Sequence, residues 1–258
     1  MSLLDHPALD GTIFFPRPDF EPPPPGARDL MLAVAPGVRL HARLHDAPGA
    51  VAALVLFHGN GEVVSDYDAI APDFARAGAS LAVVDFRGYG RSEGTPTMRH
   101  LLADARPALA ALLPELGRGG RTPPVVVMGR SLGSACAAEL VRVMPEALAG
   151  IVFESGFSDL TTLALRRGIR ISHADEEDLE VLCPIRKLRP SRTPLLVLHG
   201  ARDTLIAPSE GRAVFEASGA ADKRFVLVPD RGHNDLSLHP LYWQELGAFV
   251  QRVAAAAR

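Results

Sequence analysis

Ser131, Asp203 and His233 are of the residue types that together perform nucleophilic acyl transfer. A serine hydroxyl is a poor nucleophile at neutral pH. It needs a base within hydrogen-bond reach, and a third group that holds the base in the right tautomer. Ser131 is the centre of Gly129-Arg130-Ser131-Leu132-Gly133, a G-x-S-x-G sequence that follows the apolar run Val125–Met128. A continuous apolar run bounded by turn residues suits a strand buried on both faces, and Leu132, Cys136, Leu140 and Val143 then recur at helical spacing. The chain is therefore expected to turn sharply from strand to helix at Ser131. Such a nucleophile elbow strains the serine backbone, lifts Oγ clear of the sheet, and leaves room beside it for the hydrogens of Gly129 and Gly133 but not for a Cβ.

His233 is the expected base, in a Pro229–Asp235 loop able to project an imidazole to the centre of a sheet edge. Of the other histidines, His6, His41, His45 and His100 read as surface or hairpin residues, and His239 opens the last helix. His58 and His199 each precede a glycine at a strand end and read as shaping backbone rather than transferring protons. Asp203, four residues beyond His199, is the expected orienting acid; Glu154 and Asp159 are rivals for that role, and Asp230 reads as a surface loop residue. Attack on an acyl carbon builds negative charge that needs donors already in place. The backbone N–H groups of Leu132, at the start of the elbow helix, and of Asn60, between Gly59 and Gly61, are the expected pair. His233, Asp235 and His239 fit no metal-ligand spacing, so neither a metal nor a cofactor is expected.

These residues need elements to carry them, and the chain alternates strand and helix patterns. Leu30–Val34 and Val38–Leu44 predict an antiparallel hairpin around Pro36-Gly37. Strands are predicted at Ala52–Phe57, Ser80–Val84, in the elbow run, at Gly150–Glu154, Leu195–Leu198 and Phe225–Val228. Helices are predicted over 66–77, over 98–113 with an interruption at Pro107, over 209–217 and at the C-terminus, where Leu246, Phe249, Val250 and Val253 share a face. Such alternation argues an α/β fold with a mostly parallel eight-stranded sheet, helices on both faces and the hairpin as an antiparallel edge. Ligands of such sheets bind beyond the carboxyl ends of the strands, which is where His58–Gly61, Asp85, Ser131, Asp203 and His233 all fall. Residues 1–29 form a Pro-rich arm, expected to lie on the domain through Phe14, Phe15 and Phe20; residues 30–258 form the domain, and the charged stretch 157–192 a short lid.

The motifs H-G-N-G-E, D-F-R-G-Y-G-R-S, G-R-S-L-G-S, H-G-A-R-D and G-H-N-D, in this order from Val51 onward, resemble those of α/β-hydrolase-superfamily serine hydrolases. The short insertion is similar to that of the compact members, which include acyl-protein thioesterases and bacterial esterases. The resemblance implies Ser131, Asp203 and His233 as triad, Asn60 and Leu132 as oxyanion donors, and Asp85 and Arg87 as braces. It also implies a small-molecule acyl substrate. Serine at the elbow counts against the superfamily's epoxide hydrolases and dehalogenases, which place a carboxylate there. Ester or thioester hydrolysis through an acyl-enzyme is the leading expectation, beside an amide-cleaving enzyme and a non-catalytic ligand-binding relative. Arg166, Arg167 and Arg170 could receive an anionic acyl group or be solvated helix charges.

The whole chain fits this reading. It has 258 residues, a formal net charge of -3 and a pI of about 6.3, with no clustered basic patch for nucleic acid and no apolar run of membrane-spanning length. The first residues lack a basic, apolar leader, so the cytoplasm is the expected location. Cys136 and Cys183 are expected to be reduced thiols. Oligomeric state leaves no signal in the sequence.

Overall fold

Four apolar runs are buried at every residue, which a strand achieves only when both sheet faces are covered. The computed structural model describes residues 11, 13–117, 122–161 and 180–257. In chain order the strands are β1 (Ala27–Ala35), β2 (Val38–His45), β3 (Ala52–Phe57), β4 (Ala79–Val84), β5 (Val125–Arg130), β6 (Gly150–Glu154), β7 (Leu195–Gly200) and β8 (Lys223–Val228). They form one eight-stranded sheet in the order β1-β2-β4-β3-β5-β6-β7-β8. The β1–β2 hairpin is antiparallel and joins β4 antiparallel, while every other pairing is parallel. This is the α/β-hydrolase architecture that the sequence predicts.

The helices among the described residues include α1 (Ala71–Arg76), α2 (Met98–Leu116), α3 (Ser134–Val143), α4 (Pro184–Leu188), α5 (Pro208–Ala217) and α6 (Pro240–Ala256). Alternation along β5 divides the core: Val125 and Val127 join a layer with residues of α2 and α3, and Val126 and Met128 a second layer with α1 and α6. The central strands therefore cannot slip by one residue without exchanging layers.

Three expectations need correction. First, α2 is not interrupted: it runs through both Pro107 and Pro114. A proline inside a helix costs about 3 kcal/mol, but burying Met98, Leu101, Leu102, Leu109, Leu112 and Leu116 on one stripe returns about 1.5–3 kcal/mol each, so packing wins. Second, the helix expected over 66–77 divides into a 3-10 turn at Val64–Tyr67 and α1, with Pro72 in the first turn of α1, where its missing N–H is no loss. Third, the arm is anchored by Ile13 and Phe14, both buried, whereas Phe15 and Phe20 are 56% and 78% exposed. The flanks of the insertion pack inward through Phe157, Leu160, Leu182 and Leu188; Arg166, Arg167 and Arg170 lie outside the described residues. No helix among the described residues is long and apolar enough to cross a membrane.

Candidate active site

The elbow forms where β5 gives way to a 3-10 turn, Ser131–Gly133, and then α3. Ser131 has φ of +49°, a left-handed conformation that costs a residue with a Cβ about 1–3 kcal/mol. The glycines beside it are required by space. A Cβ on Gly129 would lie 2.5 Å from the Gly133 carbonyl oxygen, and one on Gly133 would lie 2.0 Å from that of Phe57. The second contact also seats the elbow against the carboxyl end of β3, where the Asn60 loop begins.

Ser131, His233 and Asp203 come together. The Ser131 hydroxyl donates to Nε2 of His233 at 3.0 Å, and Nδ1–H of His233 donates to Oδ2 of Asp203 at 2.7 Å. Close packing of two loops sets this geometry: a Cβ on Gly200, at the end of β7, would lie 2.2 Å from the Gly232 carbonyl oxygen. Oδ1 of Asp203 accepts from the N–H groups of Leu205 and Ile206, each at 2.9 Å. Burial pushes the Asp203 carboxyl up, but hydrogen bonds from His199, His233 and the Ile206 N–H outweigh it and hold the group well below the usual aspartate range. The Asp203 carboxylate is thus ionised and fixed, which suits the orienting role expected of it.

Leu132 follows Ser131 in a turn whose first N–H groups have no partner within it, and it is buried beside the elbow. Asn60 lies on the loop packed against the elbow. Its side chain is engaged by the N-terminal arm. The rivals for the acid are occupied elsewhere. Glu154 accepts from the Tyr242 hydroxyl at 2.8 Å and faces Arg130, Asp159 accepts from Thr161 and Cys183, and Asp230 pairs with Arg202 at the surface. His239 caps α6. Among the described residues no group of three or more His, Cys, Asp or Glu could hold a metal ion.

His58 and His199 bond to backbone as expected, through Gly59 O at 2.7 Å and Ile206 O at 2.9 Å. His41 is a hairpin residue, on β2, and its side chain is fully buried, with Nδ1 2.9 Å from Asp85 Oδ2. Asp85 Oδ1 accepts from the Val64 N–H at 3.0 Å, while Arg87 makes a two-pronged pair with Asp104, 2.6 Å in each arm.

Sequence reasoning missed the support beneath the elbow. The Arg130 guanidinium pairs with Glu62, faces Glu154 at 3.3 Å, and donates to Asn234 Oδ1 at 2.8 Å and to the His233 carbonyl at 3.4 Å. Glu62 in turn accepts from the Gly59 N–H and the Tyr67 hydroxyl, each at 2.7 Å. One buried cation therefore touches the elbow, the Asn60 loop and the His233 loop. Burial pushes the Glu154 carboxyl up, despite the opposing Arg130 and Tyr242. The pairing of Arg130 with Glu154 was in principle findable, because a parallel register of β5 with β6 sets them side by side.

A strained serine between an extended strand and a helix, hydrogen-bonded to a histidine that is bonded in turn to an aspartate, both from later loops on a parallel sheet, is the arrangement of an α/β-hydrolase site. Comparison with known proteins agrees. Residues 48–173 match the family model described as serine aminopeptidase S33. The chain is 30% identical to an uncharacterized protein of Mycobacterium tuberculosis over 225 residues, 83% of this chain and 75% of that one. It is 28% identical to human alpha/beta hydrolase domain-containing protein 17B over 213 residues, 80% of this chain and 68% of the relative. An esterase of Pyrococcus furiosus has the same fold, with a TM-score of 0.73, 16% identity, and coverage of 94% of this chain and 98% of the other. The chain belongs to the α/β-hydrolase superfamily.

Proposed function

We propose that the protein is a serine hydrolase that cleaves carboxylic esters or thioesters of a small-molecule acyl substrate through an acyl-enzyme on Ser131. The observation that carries the reading is the unbroken hydrogen-bond line Ser131–His233–Asp203 at 3.0 and 2.7 Å on a strained elbow. In the first step Ser131 Oγ attacks the acyl carbon and its proton passes to Nε2 of His233; the imidazolium returns a proton to the leaving alkoxide or thiolate. In the second, His233 takes a proton from water, the hydroxide attacks the acyl carbon, and Ser131 regains its proton as the acid departs. The N–H groups of Leu132 and Asn60 are the proposed donors to the oxyanion in both steps. No cofactor enters this scheme. Residues 157–192 are proposed as a lid and residues 1–29 as an arm of the domain. The expected setting is the cytoplasm, where Cys136 and Cys183, both free, would stay reduced.

An amide substrate is the second reading, favoured by the aminopeptidase description of the matching family model. Fluorophosphonate labelling of the wild type, Ser131→Ala and His233→Ala tests the nucleophile. Parallel assays on p-nitrophenyl esters of rising chain length, an acyl thioester and an aminoacyl p-nitroanilide then separate the substrates. Labelling that vanishes in both variants, with ester or thioester turnover, is the expected result. An unlabelled, folded wild type that binds a ligand without turnover would return the non-catalytic alternative.

A further inference from the structure

Gly59-Asn60-Gly61 has little side-chain bulk of its own, and Gly61 stands at φ of +79°. Loops of this kind are free to wander, whereas an oxyanion donor must be fixed before the charge arrives. Something outside the loop has to remove that freedom. From below, Arg130 and Glu62 hold Gly59: a Cβ there would lie 2.2 Å from the guanidinium. From above, the loop meets the N-terminal arm.

The arm meets Asn60 through its backbone and Gly61 through the Arg17 side chain. Asn60 Oδ1 accepts from the Phe15 N–H at 3.0 Å and from the Tyr89 hydroxyl at 2.7 Å, and Asn60 Nδ2 donates to the Ile13 carbonyl. The Phe15 N–H is shared with the Tyr89 hydroxyl at 2.9 Å. Further along, Arg17 Nε donates to the Gly61 carbonyl at 2.8 Å and its guanidinium pairs with Asp66. The Arg17 carbonyl accepts from the Gly90 N–H at 2.9 Å, and Pro18 continues a parallel bridge to Gly90. Ile13 and Phe14 are buried in the core, so the arm is rooted, while the Phe15 ring points to solvent. At position 15 the fold therefore uses the N–H rather than the side chain. Tyr89 is wholly buried, its ring 5.5 Å from that of His58 and 5.7 Å from that of Phe86, so its hydroxyl is as fixed as the core.

We propose that the arm segment Ile13–Arg17 is a positioning element of the oxyanion loop, clamping Asn60 and Gly61 from the solvent side so that the Asn60 N–H stays aimed at the developing charge. This inference rests on the serine-hydrolase reading. Undocking the arm would slacken one donor while leaving the bonds among Ser131, His233 and Asp203 in place. The arm would then govern kcat and leave ground-state affinity alone.

The test compares full-length Phe15→Pro, which removes the shared N–H, and Tyr89→Phe, which removes the hydroxyl but keeps the ring, with Phe20→Ala, an exposed arm residue away from the loop. Each is measured for kcat and KM on a p-nitrophenyl ester, for the acid limb of its pH profile, for thermal midpoint, and for amide hydrogen exchange in the peptide spanning the Asn60 loop. The expected result is a fall in kcat of about tenfold in Phe15→Pro and Tyr89→Phe, with KM within about twofold, an unshifted acid limb and faster exchange in the loop. Phe20→Ala should match the wild type. A kcat within about twofold of wild type in both variants, or one that falls only as folded protein is lost, overturns the inference. Fluorophosphonate labelling of the wild type keeps the two readings apart: an unlabelled wild type defeats the hydrolase reading and this inference with it, whereas a labelled wild type beside unchanged variants defeats the arm's role alone.

Discussion

Arg130 donates to Asn234 Oδ1 at 2.8 Å, a bond that spans 104 residues of chain and ties the residue before Ser131 to the residue after His233. The same guanidinium pairs with Glu62 on the proposed oxyanion loop. Lysine would keep the charge but lose the planar fork that reaches several partners at once. Arg130→Lys is expected to lower kcat about tenfold with a small change in thermal midpoint. Arg130→Met, which strands two carboxylates, is expected to destabilise the fold by about 3 kcal/mol. Steady-state kinetics and urea unfolding check both, and a lysine variant with wild-type kcat would remove the assigned role.

Asp203 has its carboxyl held below the usual range, so it stays ionised where ordinary aspartates take up a proton. Its folded-state value lies below its unfolded one. The stability it contributes is therefore present above the unfolded value of about 4 and lost as pH falls toward the folded one. Asp203→Asn is expected to cost about 10⁴ in kcat, as the histidine loses its orienting acceptor. The stability advantage of the wild type over this variant should shrink as urea unfolding is repeated from pH 6 down to pH 3. An advantage that grows toward acid would contradict the assignment.

Glu154 has the opposite sign. Burial raises its carboxyl, aided by Glu62, against Arg130 and Tyr242. A raised folded-state value contributes stability below the unfolded value of about 4.3, and that contribution is lost as pH climbs through the folded one. Glu154→Gln carries no such proton. The midpoint of the variant relative to wild type should therefore rise as pH climbs above the unfolded value of about 4.3, read by thermal melts in matched buffers. A flat or falling difference would show that Glu154 titrates normally.

The thiols should be silent. Burial pushes the Cys136 thiol far up, and burial with the Asp159 hydrogen bond pushes Cys183 up to about 12. Since the thiolate is the reactive form, Ellman's reagent at pH 8 should detect neither thiol in native buffer and both in urea. Rapid reaction of either in the folded protein would count against the packing around α3 or the start of α4.

The sequence made the strand pattern, the elbow and the triad candidates legible because each depends on short-range signals: an apolar run, two glycines around a serine, a polar residue just past a strand. The single stretch of α2 through Pro107 was not legible, since the local cost of proline is visible in sequence and the compensating burial is not. The role of Arg130 was hidden for a related reason. Nothing local to an arginine between glycine and serine shows the partners that β6 and the His233 loop supply. The arm was misjudged in detail: aromatic residues suggested anchors, yet Phe15 contributes a backbone N–H and leaves its ring in water.

The hydrogen bond from Ser131 to His233 joins residues 102 apart in sequence, and His233 follows β8, the last of the eight described strands and an edge of the sheet. During synthesis the proposed nucleophile therefore emerges long before its proposed base. On the proposed mechanism a ribosome-bound chain halted before β8 would lack the base of Ser131 and stay chemically quiet toward the acyl groups around it. Reactivity would then need β8 in place, so a fluorophosphonate signal would report completion of the sheet as much as catalysis.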